Sequence, residues 1–222
     1  VQQARGPAPM MAGARMNGLI FAGQWSRLIT PVFLHGSVGH LLSNCYSLYN
    51  VGPITEQFFG VERSLLIFIL SGIGGNVLGL YLGDPRGLSV GASGAVFGLM
   101  GCVFAFAMRN KREMGYAASS IQQQLTRVLA INLIFGMQRG SGVDNLAHVG
   151  GFVSGALFGT VLAPEVRRRG SGEDVRGGLV PAAAVRIATI VALAASAASV
   201  RSAWTVGSVL MRRSGAAARL LR

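Results

Sequence analysis

Apolar residues dominate six stretches of this chain, and short polar interruptions rich in arginine separate them. A membrane helix needs about 20 largely apolar residues, and most of these stretches approach that length. The fourth is the shortest and least apolar. The pattern predicts an all-α, polytopic membrane bundle with about five core helices and one additional C-terminal helix. The predicted helices are Leu41–Ile54, Ser64–Gly83, Val90–Met108, Leu125–Met137 and Asn145–Ala163, followed by Leu179–Val200.

The same pattern divides the chain into four parts. Residues 1–24 form an N-terminal segment with no predicted spanning helix, and residues 25–163 form the membrane domain. Residues 164–178 are a basic, glycine-rich linker, and residues 179–222 hold the additional helix and a basic tail. We therefore expect an integral, multi-pass membrane protein in contact with the lipid bilayer.

Composition agrees with a membrane protein and excludes other classes. Hydrophobic residues make up 51% of the chain and charged residues 13%, which is too little charge to cover a soluble domain of this length. The net charge is +12, but the arginines stand at the ends of apolar runs without interleaved aromatic residues, so we expect no nucleic-acid partner. Cys45 and Cys102 lie in apolar runs and predict neither a disulfide nor a metal site, and no cofactor is expected.

Basic clusters set the orientation of the helices. Arginines follow the third and fifth predicted helices, so both helices run toward the same side of the membrane. Ser93 precedes Arg109 by 16 residues and His148 precedes Arg167 by 19. At about 1.5 Å per residue, both side chains lie about 24–28 Å from the basic end, near the opposite surface. The pattern therefore predicts a serine and a histidine at matched depth on parallel helices.

A serine and a histidine at one depth can form a catalytic dyad if their helices approach closely. Histidine is the usual base that activates a serine hydroxyl near neutral pH. Small residues allow such an approach, and glycines recur near both residues. They are Gly94, Gly98 and Gly101 on the third helix and Gly151, Gly155 and Gly159 on the fifth. Ser93 and His148 could also be ordinary packing residues, and that interpretation stays open.

Hydrolysis also needs donors for a developing oxyanion. His40 and Asn44 are four residues apart and share one helix face, and the backbone N–H groups of Ala92 and Ser93 lie at a helix start. These groups are candidate oxyanion donors. For His40 and Asn44 the alternative is hydrogen bonding between helices without chemistry. His35 is interpreted as a structural hydrogen-bonding residue.

Three ordered motifs together resemble the rhomboid family of intramembrane serine proteases. They are the run Trp25–Pro31 with the H-x4-H-x3-N spacing of His35, His40 and Asn44, the run Gly91-Ala92-Ser93-Gly94, and the run 144–151 around His148. The resemblance covers about residues 13–163. It implies Ser93 as nucleophile, His148 as base and no required acid, with His40, Asn44 and the backbone around Ser93 holding the oxyanion.

The resemblance also assigns supporting roles and points to two differences from the family. It implies that Arg27, in a membrane-embedded loop, and Glu56, near the inner end of the first helix, are structural. Phe97 stands where relatives often have a tyrosine packed on the catalytic histidine. Family members have a membrane helix before the Trp25 loop, and residues 1–24 predict none, so we expect a chain without the first membrane helix. Residues 179–200 would correspond to the extra C-terminal helix of some relatives.

The expected function is cleavage of transmembrane protein substrates near the outer end of their membrane helix. The alternative is a non-catalytic, rhomboid-like protein that binds membrane clients. A transporter is disfavoured because the sequence shows no pair of internal repeats with broken helices. Asp144, four residues before His148, is interpreted as electrostatic support for a helix N-terminus rather than as the acid of a triad.

Overall fold

The computed structural model describes residues 8–138, 140–169, 172–176 and 180–220, and describes side chains within 10–138, 140–164 and 180–205. Within these ranges the chain is almost entirely helical. Trp25–Leu28 and Thr30–Phe33 form single 3₁₀ turns. The α-helices are α1 (Ala8–Gly13), α2 (Asn17–Phe21), α3 (Val38–Leu82), α4 (Ser93–Arg109), α5 (Lys111–Met114), α6 (Tyr116–Gly136), α7 (Asn145–Leu162) and α8 (Ala182–Leu220). This architecture is the predicted all-α bundle.

Helix α3 contains the first two predicted helices, joined by a kink. Gly60 lies at the kink with a φ of +75°, a left-handed conformation that favours glycine. The first half continues past the predicted end at Ile54 and carries Glu56 on the helix itself. Pro53, which lacks an N–H, lies within this half. Two spans therefore follow each other directly and do not need a separate loop.

Helix α6 begins nine residues earlier than predicted, at Tyr116 instead of Leu125. The added turns contain Ser, Gln and Ala residues, which favour or tolerate a helix although they are not apolar enough to belong to a predicted span. The prediction followed apolar length, whereas the helix also includes its polar first turns.

Two short antiparallel strand pairs accompany the helices. Strand β1 (Arg15–Met16) pairs with β2 (Leu88–Ser89), and β3 (Glu165–Arg169) pairs with β4 (Gly172–Arg176). The second pair falls in the predicted linker 164–178. A hydrophobic pattern does not predict these pairs, because β1 and β2 are too short to show an alternation and β3 and β4 consist mostly of charged residues. The first pair connects the N-terminal segment to the residues that precede α4.

Helix α4 is the centre of the bundle and packs against both α3 and α7. Its side chains are mostly buried and form the core with the second half of α3. The largest buried members include Ile67, Val96, Phe97, Leu99, Val103 and Phe106. Because α3 and α7 pack against α4 from two directions, the N-terminal end of α4 is held in a fixed position.

Hydrogen bonds from buried side chains tie the N-terminal segment to the bundle. Asn17 Nδ2 donates to the carbonyls of Gly79 and Leu80 at 3.0 and 3.3 Å. The Arg27 guanidinium donates to Ala14 O at 2.7 Å and to Met11 O at 3.0 Å. These bonds satisfy backbone carbonyls in the last turn of α3 and in the N-terminal segment, as burial requires. Arg27 thus makes the contacts expected of a structural residue, and that role stays a prediction.

Three helices in the described part of the chain are long and apolar enough to cross a membrane: Val38–Leu82, Asn145–Leu162 and Ala182–Thr205. Ser93–Arg109 is apolar but shorter. Large apolar side chains on the outside of the bundle, such as Ile131 and Leu157, are about two-thirds exposed, at 66% and 65%. Such exposure suits contact with lipid. Helix α8 docks on the α3 kink region through an Arg186–Glu62 ion pair of 2.8 Å.

Candidate active site

Ser93 is the first residue of α4 and follows a glycine turn. Gly91 has a φ of +130°, and its N–H donates to Pro31 O at 2.9 Å, which joins the turn to the 3₁₀ loop. A Cβ on Gly91 would lie 2.7 Å from His40 Nε2 and 3.8 Å from Ser93 Oγ. Only glycine therefore lets the His40 ring and the Ser93 hydroxyl approach the same point.

His148 is the fourth residue of α7 and is 5% exposed. Its imidazole stacks on Phe97 of α4, with ring centroids 4.3 Å apart and an interplanar angle of 24°. Its Nδ1 is buried and has no hydrogen-bond partner. The ring is held by stacking rather than by a carboxylate.

Glycines bring the backbones of α4 and α7 into direct contact at this level. A Cβ on Gly151 would overlap the Gly94 carbonyl oxygen, and one on Gly155 would overlap the Gly98 carbonyl oxygen. A Cβ on Gly94 would lie 3.1 Å from Ala147 O. Since Ala147 and Gly151 flank His148 along α7, Ser93 and His148 lie at the same level of the bundle. The closeness of the helices depends on the absence of these side chains.

One cavity of about 280 Å³ contains both reactive side chains. His40, Asn44, Ser93, Phe97 and His148 all line it, together with residues of α6 and of the loop before α7. In the described part of the chain no hydrogen bond joins Ser93 to His148. The structure therefore brings the five predicted residues to one cavity, without a hydrogen bond between Ser93 and His148.

His40 and Asn44 form a short hydrogen-bonded series on α3. The N–H of Gly36 donates to His40 Nδ1 at 3.4 Å, and Asn44 Nδ2 donates to His40 O at 3.0 Å. Because Nδ1 is an acceptor, the neutral His40 ring carries its proton on Nε2, the nitrogen that faces Gly91. A ring N–H is thus available on the side where Ser93 lies. Ala92 occupies the N-cap position of α4, so the first N–H groups of that helix lack intrahelical partners.

Comparison with known proteins assigns these features to a family. Residues 22–165 match the family description "Rhomboid domain". This chain belongs to the rhomboid family. It is 37% identical over 150 residues to the rhomboid protease GluP of Bacillus subtilis, covering 68% of this chain and 28% of GluP. It is 38% identical over 159 residues to RHOMBOID-like protein 1 of Arabidopsis thaliana, covering 71% of this chain and 40% of that protein.

RHOMBOID-like protein 2 of the same plant is 39% identical over 153 residues, covering 68% of this chain and 47% of that protein. The chain thus spans less than half the length of these curated relatives. Membership confirms the predicted family, the polytopic helical fold and the integral membrane location.

Three supporting residues of this rhomboid chain lie outside the cavity. His35 makes an edge-on contact with His40, with ring centroids 5.2 Å apart, and its Nε2 is buried without a hydrogen-bond partner. Burial, and secondarily the neighbouring His40, lowers the pKa of His35 from its ordinary 6.5. Because Nε2 has no partner, His35 does not make at that atom the hydrogen bond that the sequence predicts. Arg27 donates hydrogen bonds to the backbone of the N-terminal segment. Glu56 lines a separate cleft on α3 with Cys45 and Tyr49.

Several residues that the sequence analysis did not select also meet at the site. Polar side chains from three elements add to the lining of the cavity: Ser43, Ser47, Asn132 and Ser141. Ser43 and Ser47 could have been found, because they follow His40 at helical spacing on the same face. Arg15 was missed for another reason. It forms a 2.8 Å ion pair with Asp144, and it is 4% exposed. Nothing in its sequence context predicts that burial.

Asp144 is the N-cap residue of α7. Its side chain accepts a hydrogen bond from Ala147 N–H at 3.0 Å, which satisfies a free helix donor. Its other oxygen faces Arg15. Neither of these partners is His148 Nδ1, and the hydrogen bond that Asp144 accepts stabilises the N-terminus of α7. No group of three or more His, Cys, Asp or Glu side chains able to hold a metal occurs among the described residues.

Proposed function

We propose that this chain is an intramembrane serine endopeptidase with Ser93 as nucleophile and His148 as general base. The observation that carries the proposal is the shared cavity. Ser93 and His148 line it from two helices whose backbones touch through glycines, and His40 and Asn44 line it from a third helix, α3. Membership in a family that includes GluP, named as a rhomboid protease, supports the same chemistry.

The proposed reaction begins with proton transfer from Ser93 Oγ to the His148 imidazole. The Ser93 oxygen then attacks a substrate carbonyl carbon, and the protonated imidazole gives the proton to the leaving amine as the peptide C–N bond breaks. A water molecule, deprotonated by the same imidazole, then hydrolyses the acyl-enzyme and regenerates Ser93. The stacked Phe97 ring restricts the plane of the imidazole, which takes over part of the orienting role that a carboxylate has in a triad. A hydrogen bond between Ser93 and His148 would form on substrate binding, since catalytic bonds are often long in unliganded enzymes.

Three sets of donors would stabilise the tetrahedral oxyanion. Gly36 N–H donates to His40 Nδ1, so the neutral ring carries its proton on Nε2. This nitrogen lies beside Gly91, on the Ser93 side of the cavity. Asn44 is 7% exposed and keeps an amide hydrogen beyond the one that it gives to His40 O. The backbone N–H groups at the start of α4, at Ala92 and Ser93, point out of the helix without intrahelical partners. Such preorganised donors stabilise developing charge most effectively in a site of low polarity.

The proposed substrates are transmembrane proteins, cut near the outer end of their membrane helix. A peptide bond within a helix is not accessible to Ser93 until the helix unwinds, because its backbone groups are bonded internally. The polar side chains along the cavity can satisfy backbone groups that unwinding exposes. They include Ser43, Ser47, Asn132 and Ser141. Small or helix-breaking residues near the cut are therefore expected in substrates.

The second candidate is a non-catalytic rhomboid protein that binds membrane clients. The observation in its favour is that Ser93 and His148 share no hydrogen bond. A client could occupy the same polar cavity without being cut. The two candidates differ in one property, the reactivity of the Ser93 hydroxyl.

A fluorophosphonate probe in proteoliposomes separates the two candidates. We expect wild-type protein to be labelled, and Ser93→Ala and His148→Ala to lose labelling while still inserting into the membrane. Ser154→Ala is the matched control, since it removes a hydroxyl from α7, the helix of His148, at a position that does not line the cavity, and it should still be labelled. Peptide mapping should place the adduct on Ser93. Unlabelled wild type, or equal labelling of Ser93→Ala, would leave the binding function as the better explanation.

A further inference from the structure

The Arg15–Asp144 ion pair joins the N-terminal segment to the start of α7, the helix that carries His148. Arg15 NH2 lies 2.8 Å from Asp144 Oδ2, and the arginine is 4% exposed. Its Nε and NH1 are buried without hydrogen-bond partners, and so is Asp144 Oδ2, so the contact between the two residues is an ion pair and not a hydrogen bond. Among the described residues, Asp144 is thus the one polar partner of this guanidinium. A buried charge with a single partner depends strongly on that partner.

On one side, Arg15 is fixed next to the strand that leads to Ser93. Arg15 pairs with Ser89 in the β1–β2 ladder, four residues before the nucleophile. The segment around it is held by further bonds, from Thr30 Oγ1 to Gly13 O at 2.5 Å and from Arg27 to Ala14 O. The backbone that carries the Arg15 side chain therefore cannot shift without breaking several buried hydrogen bonds.

On the other side, Asp144 holds the first turn of the helix that carries His148. Asp144 Oδ1 accepts from Ala147 N–H at 3.0 Å, and Asp144 O accepts from the N–H of His148 itself at 3.1 Å. The loop that leads to Asp144 contains Gly140 and Gly142, both with positive φ. Hydrogen bonds within the loop, from Val143 N–H to Ser141 Oγ and from Ser141 Oγ to Gly136 O, both at 3.3 Å, do not reach Asp144 itself. The ion pair supplies a restraint that the loop does not.

We propose that Arg15 is a positioning residue, which through Asp144 sets the distance between the His148 end of α7 and the Ser93 end of α4. This inference rests on the proposed function and names a residue outside its chemistry. Arg15 does not touch the reacting groups. It acts because the β1–β2 ladder and the α7 N-terminus are joined through its side chain, so that a shift of α7 has to stretch the ion pair.

The test compares Arg15→Gln, Asp144→Asn and the double variant in proteoliposomes. Labelling rates with the fluorophosphonate probe are measured per folded molecule, alongside Tm. Each single variant should lower the rate by about tenfold, because a misplacement of about 1 Å can cost up to 10²-fold. The double variant should be no slower than the slower single one, since both changes remove the same link. Arg15→Lys, which keeps the charge, should recover most of the rate.

The matched control is Arg186→Gln, which breaks an Arg–carboxylate pair of the same 2.8 Å length on the surface, between α8 and α3. We expect wild-type labelling from it. If Arg15→Gln lowers Tm but its folded fraction is labelled at the wild-type rate, Arg15 is structural only and the proposal is wrong. Additive effects in the double variant would overturn it as well.

A second readout does not depend on catalysis. Amide hydrogen exchange should become faster at Ala147 and His148 in Arg15→Gln, while the amides in the middle of α4 keep their protection. If wild type is not labelled, the proposed function fails, and this exchange measurement still decides whether Arg15 holds the start of α7. Unchanged exchange at both amides would show that it does not.

Discussion

The phenyl ring of Phe97 lies flat against the imidazole of His148, with centroids 4.3 Å apart and planes inclined by 24°. The two residues come from the two helices whose backbones interlock through glycines, so the stack spans the interface that carries the proposed dyad. Because His148 Nδ1 has no hydrogen-bond partner, this contact is the clearest restraint on the plane of the ring.

Replacing Phe97 should therefore affect the rate through ring orientation. Stacked aromatic pairs contribute about 0.5–1.5 kcal/mol beyond burial, so Phe97→Ala should slow probe labelling of the folded protein by about tenfold. It should also destabilise the core by about 3–5 kcal/mol. Phe97→Tyr keeps the ring and should be labelled at close to the wild-type rate. Wild-type labelling of Phe97→Ala would show that the stack does not orient His148.

Enlarging Gly151 should separate the helices at the level of the site. A Cβ there overlaps the Gly94 carbonyl oxygen, and a backbone atom cannot move away by changing a rotamer. Gly151→Leu should abolish labelling while the protein still inserts. The overpacking should cost about 1–3 kcal/mol of stability. Val153→Leu, at a 51% exposed position of the same helix, is the control and should be labelled normally. Equal labelling of both variants would contradict the interlocked geometry.

Removing the Asn44 amide should slow the reaction without stopping it. Loss of an essential oxyanion donor costs about 10²–10³-fold, and His40 and backbone donors remain here, so we expect the lower end of that range or less. Asn50→Ala is a matched control, because Asn50 donates to the carbonyl four residues earlier just as Asn44 does. The measurement is kcat for a transmembrane substrate. If both variants keep the wild-type kcat, Asn44 is a helix-packing residue.

Arg27 should be important for stability and not for the chemical step. Its guanidinium donates to two backbone carbonyls of the N-terminal segment, and hydrogen bonds of charged groups contribute about 1.5–3 kcal/mol each. Arg27→Gln should lower the thermal unfolding temperature clearly, whereas Arg86→Gln, at an exposed position, should not. The folded fraction of Arg27→Gln should be labelled normally at low temperature. A rate defect at full folding would assign this loop a role in the site.

His35 should make stability depend on pH. Burial, and then His40, lowers the pKa of His35 below its ordinary 6.5, so the unfolded chain binds a proton that the folded chain resists. The free energy of unfolding should therefore decrease as pH falls through about 6.5 toward the lowered pKa. Comparing Tm at about pH 8 and about pH 5.5 in wild type and His35→Gln isolates this contribution. The variant should lose less stability on acidification, and an equal loss in both would contradict the prediction.

Much of the architecture could be predicted from the sequence because membrane helices reveal themselves through local composition. The apolar runs and the flanking arginines predict the bundle, and the family membership confirms it. Helix ends were less predictable. The start of α6 at Tyr116 and the continuation of α3 through Gly60 depend on helix propensity and on a single left-handed glycine, neither of which changes hydrophobicity.

Matched depth and glycine spacing are local information and indicate Ser93 and His148 as candidates from the sequence alone. His40 and Asn44 follow from their four-residue spacing on one helix face. Their roles remain a proposal that the labelling experiments test. The pairing of individual glycines with carbonyls, such as Gly151 with Gly94, required the crossing geometry of α4 and α7. A four-residue spacing shows that the glycines share one face of their helix. It does not show toward which neighbouring helix that face is turned.

Only the tertiary structure placed Arg15 against Asp144, across 129 positions of sequence. In the sequence this arginine is one of 20 basic residues and has no pattern around it. Its role depends on the β1–β2 ladder and on the N-terminal end of α7, which meet because the bundle closes. The apolar runs and the basic clusters at their ends determined the helices and the depth of Ser93 and His148, since both follow from local composition. Long-range polar contacts were decided by folding, since a charge finds its partner only after the helices have packed.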